Sequence, residues 1–130
     1  MSTVSAALSR ALLTCTSEIF GVMGNGNAHF LDAALRTGFR FTAVRHESAA
    51  VTAADAYFRI TGKPAIATTT YGAGFSNAIT PLAEAAKARI PMVLVTGDQP
   101  STGARPWDID QGAINDAVGA TTFVVDAQRP

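Results

Sequence analysis

Cysteine is nearly absent: the lone Cys15 excludes an intramolecular disulfide, and neither it nor the two histidines recur at spacings that make a structural metal site. A reducing compartment, and so the cytoplasm, is the expected setting. Charge is scarce as well. Only 15% of the residues are Asp, Glu, Lys or Arg, and 10 basic against 10 acidic groups leave a net charge of zero. No overall field draws in phosphate backbones or anionic lipid, which disfavours nucleic acid and membrane surfaces as partners. Long apolar runs are missing too. The longest, Ile90 to Val95 around Pro91, is far below a bilayer's thickness, and the opening stretch carries Arg10 within its apolar part with no cationic start, unlike a secretory signal.

Apolar residues are plentiful at 48% of 130, and 25 of the residues are alanine. That length suits one domain with its own core. Alanines at helical spacing let helices lie close to a sheet, and an apolar excess with few charges suits a chain that associates, so a homodimer or larger assembly is expected. Period and punctuation predict helices over 3–15, 28–37, 48–61, 77–88 and 110–118, and strands over 19–22, 39–44, 65–70, 92–96 and 122–125. This alternation implies an α/β fold: an open parallel sheet sandwiched by helices, doubly wound. Met92 to Thr96 is so apolar and β-branched that both of its faces are expected to be covered. In such sheets ligands bind beyond the carboxyl ends of the strands, which directs attention to the residues after each strand.

After the first strand stands Gly24-Asn25-Gly26-Asn27, a glycine turn whose Asn27 could cap the next helix. Taken with Glu47, it imitates a dinucleotide fingerprint, although His29 occupies the place of the third glycine. After the second strand comes Arg45-His46-Glu47-Ser48, followed by Ala49, Ala50, Ala53, Ala54, Tyr57 and Phe58 on one helical face. Glu47 at that junction could simply complement a helix dipole, or it could be a working acid. After the third strand comes Thr70-Tyr71-Gly72-Ala73-Gly74-Phe75-Ser76-Asn77, where Ser76 or Asn77 could cap a helix that Pro81 either kinks or opens as its first residue. Gly97-Asp98, ending the fourth strand, reads as a turn, because a lone carboxylate is a poor cage for a divalent cation. Gln99 to Pro106 reads as an irregular loop.

Together, Phe20-Gly21-Val22-Met23-Gly24, Arg45-His46-Glu47 running through Ala49, Ala50, Ala54 and Asp55 to Tyr57, Thr61-Gly62-Lys63-Pro64, Gly72 to Asn77, and Ile90-Pro91 with Thr96-Gly97 resemble the pyrimidine-binding domain of thiamine diphosphate-dependent enzymes. The acetolactate synthase and 2-oxoacid decarboxylase group is the nearest in pattern, from about residue 15 to about residue 100. The resemblance implies that Glu47 hydrogen-bonds the ring nitrogen N1′ of the cofactor's aminopyrimidine. A proton shared there favours the imino form of the neighbouring 4′-amino group, which then removes the proton from the thiazolium C2. Burial would raise the acid's pKa and the helix N-terminus would lower it, opposing effects that sequence leaves unbalanced.

By the same resemblance Gly24, Asn25, Gly26, Gly72, Ala73, Gly74 and Asn77 line the cofactor cavity, and His46, Tyr71 and Phe75 are candidates for its substrate side. Two positions depart from the family's habit: Met23 and Ala73 stand where proline is frequent, which loosens the backbone and removes no functional side chain. The Gly-Asp-Gly and Asn that hold diphosphate and Mg²⁺ in this family have no counterpart; Gly97-Asp98-Gln99 lacks the second glycine, so no metal ligand is assigned. The expectation is a single pyrimidine-binding domain over 1–130, lacking a last helix and strand, inactive alone and dependent on a diphosphate-binding domain in cis or trans within a homodimer or tetramer. Two rivals stay open: a dinucleotide-binding domain using Gly24, Gly26 and Glu47, and a non-catalytic scaffold of the same fold.

Overall fold

A computed structural model describes residues 3–126. Its elements run α1 (Val4–Leu13), β1 (Glu18–Gly21), α2 (Ala28–Thr37), β2 (Arg40–Ala43), α3 (Glu47–Thr61), β3 (Ile66–Thr69), α4 (Ala73–Ser76), α5 (Ile79–Lys87), β4 (Val93–Thr96) and α6 (Gln111–Val118). The strands form one parallel sheet in the order β2-β1-β3-β4, in register Phe20 to Thr42, Phe20 to Ala67 and Ala67 to Leu94. The chain moves outward from β1 to β2 and then returns to the other side through β3 to β4. The order therefore reverses between β1 and β3, and the crevice at their carboxyl ends is where such sheets bind ligands.

Alternating strand residues feed two cores. On one face Ala65, Ala67 and the half-buried Phe20 and Leu94 pack with Ala50, Val51 and Ala54 of α3 and with Ala78 and Leu82 at α5. On the other, Ile19 and Ile66 meet Phe30, Leu31 and Ala34 of α2 and the flanking Leu8 and Leu12 of α1. Alanine dominates the first interface because a methyl group lets α3 approach the sheet closely. Helix ends follow local chemistry: Thr3 accepts from Ala6 N at 3.1 Å, Asp110 Oδ1 accepts from Ala113 N at 2.9 Å, and Gly62 closes α3 at φ 69°.

Four expectations are corrected. The helix read over 77–88 is α5, which begins at Ile79, and a separate short α4 over Ala73–Ser76 precedes it where only a turn was read; Pro81 is third in α5, where its missing N–H is one of the donors a helix start leaves unpaired anyway. Asn27 and Asn77 occupy helix ends without capping through their side chains, which bond elsewhere. Among the described residues, 122–125 form no strand and the pairing is confined to a single bridge at Asp126; Phe123 and Val124 are exposed. With no fifth strand beside it among the described residues, β4 ends the sheet, and Val93 is exposed rather than covered on both faces.

Candidate functional site

Glu47 reaches the crevice because β2 ends at Ala43 and the chain turns directly into α3. Val44 N donates to Gly21 O at 2.9 Å, tying the exit of β2 to β1. His46 is the N-cap of α3, its Nδ1 accepting from Ser48 N at 3.2 Å and lying 2.8 Å from Ser48 Oγ. The neutral tautomer that fits these bonds carries its proton on Nε2. Glu47 is then the first helical residue, half-buried and in no ion pair among the described residues. Its Oε2 accepts from Asn77 Nδ2 at 3.0 Å, while Oε1 accepts no hydrogen bond among the described residues. Beside it lies an open cleft of about 720 Å³ lined by His46, Ser48, Thr52, Asn77, Thr80 and Glu84. The carboxylate is thus held at one oxygen and without a hydrogen bond at the other among the described residues, and its neighbours His46, Ser48 and Asn77 border the cleft.

Asn77 and Glu47 come together because the chain after β3 bends sharply. Gly72 takes φ 63° with ψ −119°, a conformation open to glycine alone at low cost, and α4 follows for one turn. Gly74 sits between two side chains: a Cβ there would stand 2.7 Å from Thr70 Cγ2 and 3.3 Å from Glu47 Oε1. Ala73 is exposed, Phe75 is fully buried, and Tyr71 is half-buried beneath the Arg105 guanidinium, 4.0 Å from its ring centre.

The Gly24 to Asn27 turn lies next to this one, closed from within. Asn27 is 1% exposed; its Oδ1 accepts from Gly24 N at 2.8 Å, and its Nδ2 donates to Val22 O at 3.1 Å and to Thr68 Oγ1 at 3.0 Å. Gly26 N donates to Thr70 Oγ1 at 3.0 Å. Asn25 is exposed. A Cβ on Gly24 would come within 2.8 Å of Thr70, one on Gly26 within 2.6 Å of Tyr71, and one on Gly97 within 2.6 Å of Gly26 Cα. These glycines are required first because the turns pack on one another.

That geometry counts against the dinucleotide reading, which needs the turn's amides free to face a pyrophosphate. The Gly24 and Gly26 amides are already bonded within the protein, and His29, in the place of the missing glycine, is exposed.

Three contributors lay outside the sequence expectations. Thr70 touches both turns. Gln111, 7% exposed at the start of α6, accepts from Gly72 N through Oε1 at 3.0 Å and donates through Nε2 to Gly97 O at 2.9 Å, clamping the ends of β3 and β4. Arg105 binds Asp108 through two nitrogens, at 2.7 Å for the closest pair, and so fixes the 98–110 loop across Tyr71. The guanidinium holds the Asp108 carboxyl below its ordinary value, and the carboxylate in turn raises Arg105. A polar residue just before a glycine turn was the one available signal for Thr70. Gln111 gave none, since its partners lie 39 and 14 residues away.

Residues 2–121 match the family model described as "Thiamine pyrophosphate enzyme, N-terminal TPP binding domain". The chain is 41% identical over 103 residues to a mitochondrial acetolactate synthase of Schizosaccharomyces pombe, an alignment covering 78% of this chain and 15% of that protein. It is 34% identical over 87 residues to a sulfoacetaldehyde acetyltransferase of Castellaniella defragrans, covering 67% and 14%. With a 2-hydroxyacyl-CoA lyase 2 of Xenopus laevis it shares 39% identity over 79 residues, covering 61% and 12%. The chain therefore spans less than a fifth of the length of the relatives it matches.

Proposed function

The chain belongs to the N-terminal TPP-binding domain family of thiamine pyrophosphate enzymes, and from that premise we propose that it forms the pyrimidine-binding half of a thiamine diphosphate site whose acid is Glu47. The observation that carries the reading is the pair Glu47 and Asn77. A half-buried carboxylate is oriented through one oxygen, unpaired at the other, and set at the carboxyl end of a parallel sheet beside a cleft. That donor set suits a heterocycle that must share a proton with an acid. A salt-bridged glutamate would be less apt, because an adjacent cation would hold it deprotonated.

On this reading Glu47 binds and exchanges a proton at the pyrimidine ring nitrogen, and Asn77 keeps the carboxylate from rotating. The Gly24 to Asn27 and Gly72 to Gly74 turns, with Asn25 and Ala73 at their exposed tips, line the cavity, and His46 and Tyr71 border its substrate side. The fully buried Phe75 would act there by backing the turn. When bound, the cofactor supplies a nucleophilic carbon and an electron sink for a 2-oxoacid, so that decarboxylation or carboligation follows, as in the acetolactate synthase-like group.

The diphosphate and its Mg²⁺ fall to a separate domain, in cis or on a partner subunit, within a dimer or tetramer. Among the described residues no cluster of three or more His, Cys, Asp or Glu side chains could hold a metal ion. No helix among them is long and apolar enough to cross a membrane. The near absence of cysteine supports the cytoplasm as the proposed location.

The test is the Glu47→Gln variant with the diphosphate-binding domain supplied. Its fold should be unchanged, and deuterium exchange at C2 of bound thiamine diphosphate should slow by about two to four orders of magnitude, the usual worth of a positioned acid or base. Exchange at the unsubstituted rate overturns the assignment.

A further inference from the structure

The Thr70 side chain touches both glycine turns. Its Oγ1 accepts from Gly26 N at 3.0 Å, and its Cβ and methyl fill the spaces that side chains on Gly24 and Gly74 would need, at 2.8 and 2.7 Å. Its backbone is anchored independently: Thr96 Oγ1 donates to Thr70 O at 3.0 Å, and Thr69 Oγ1 donates to the same oxygen at 2.9 Å. A side chain fixed to the end of the central strand therefore stands as a post between the turns. Gly74 is the thin wall between that post and Glu47, since its missing Cβ would lie 2.7 Å from Thr70 Cγ2 on one side and 3.3 Å from Glu47 Oε1 on the other.

We propose that Thr70 is a positioning residue for Glu47: its methyl, acting through Gly74, sets where the carboxylate stands, while its hydroxyl separately ties down the Gly26 amide. The proposal deepens the thiamine diphosphate reading and rests on it for its functional meaning. Its contacts can be tested in the chain alone. The two halves of one side chain have different jobs, so two near-isosteric changes separate them. Thr70→Val keeps the shape and removes the acceptor. Thr70→Ser keeps the acceptor and removes the methyl.

The decisive experiment pairs Thr70→Ser with Gly74→Ala, read by thermal melting and by the NMR resonances of the Asn77 side-chain amide, which reports on Glu47 Oε2. Gly74→Ala alone should lower the melting temperature by about 10 °C or prevent folding, because its methyl has no room. Adding Thr70→Ser opens that room, leaving Thr70 Cβ at 3.7 Å and the Glu47 oxygen at 3.3 Å as the nearest neighbours. The double variant should therefore regain most of the lost stability. The new methyl should still press on the carboxylate and shift the Asn77 amide resonances.

In Thr70→Val the Gly26 amide should exchange with deuterium about tenfold faster, with the Asn77 resonances unmoved. The proposal is overturned if Gly74→Ala is as stable as the unsubstituted chain, if the double variant gains nothing over it, or if the Asn77 resonances of the double variant stay in place. Exchange of the Gly26 amide in Thr70→Val at the original rate removes the hydroxyl's part. None of these measurements uses the cofactor, so a failed Glu47→Gln test leaves them standing, and their failure leaves that test standing.

Discussion

The turns after β1 and after β3 are near neighbours in space and near copies in composition, each with two glycines and a closing asparagine. The difference lies in what the asparagine does. Asn27 is buried and makes three hydrogen bonds, one of them to an amide of its own turn. Asn77 is exposed, and the one bond its side chain makes reaches 30 residues back to Glu47. A turn whose asparagine closes its own backbone is a scaffold. A turn whose asparagine leaves for a carboxylate on another helix is, on the proposed reading, the wall of a site. The same residue type thus serves stability in one place and orientation in the other, and burial decides which.

Exchanging alanine for each asparagine should pull the two turns furthest apart. Asn27→Ala leaves the part-buried Gly24 N–H and Val22 carbonyl without their partner and takes a buried donor from Thr68, which should cost about 3 kcal/mol of unfolding free energy. Asn77→Ala removes one exposed bond and should change stability by less than about 1 kcal/mol, while slowing C2 exchange of bound cofactor. Urea denaturation of both variants beside the exchange assay checks the pair. Equal loss of stability would erase the distinction.

Much of this arrangement was legible beforehand. Alternation of periods led to the parallel sheet, and the acid read at the end of the second strand does begin α3. What stayed hidden were bonds between residues distant in sequence. Asn27 and Asn77 read as caps because a cap needs only a neighbouring amide, whereas their actual partners include Thr68, 41 residues on, and Glu47. Thr70 looked like the last β-branched residue of a strand, whereas the strand ends at Thr69. Residues 122–125 misled in the opposite way, since Thr122-Phe123-Val124-Val125 has the composition of a strand and composition says nothing about whether a segment pairs with the edge it could reach.

Gln111 sharpens the comparison from a second direction, since it clamps the β3 turn and leaves the β1 turn alone. Gln111→Ala would orphan the Gly72 amide and leave the Gly97 carbonyl with only the 3.2 Å contact from Thr96 Oγ1, at a cost of about 2 kcal/mol. The loss should be uneven. Hydrogen exchange in the variant should rise across 71–74 and stay unchanged at Gly24, whose amide is held by Asn27. Uniform loosening of both turns would mean that they form one cooperative unit.

Acid should separate the turns by the smallest margin. The β3 turn is covered by Arg105, which is fixed in turn by Asp108, and the ion pair lowers the Asp108 pKa in the folded protein from its ordinary 3.8. A carboxyl whose folded pKa is depressed adds stability that is fully present above the unfolded value and disappears as the pH falls through the folded one. The 98–110 loop should therefore hold at neutral pH and begin to release only below about 4, in the range where the unfolded chain takes up the proton first. The neighbouring turn is tied by Asn27 and Thr70, neither of which titrates, and it should not follow. Tyr71 and Trp107 flank the guanidinium, at 4.0 and 5.7 Å from it. Their NMR ring resonances should move in that acid range before global unfolding, and Asp108→Asn should show the moved positions already at pH 7. Gly24 and Gly26 amides that moved together with the rings would tie both turns to the one ion pair, and the division between scaffold and site would then rest on Glu47 alone.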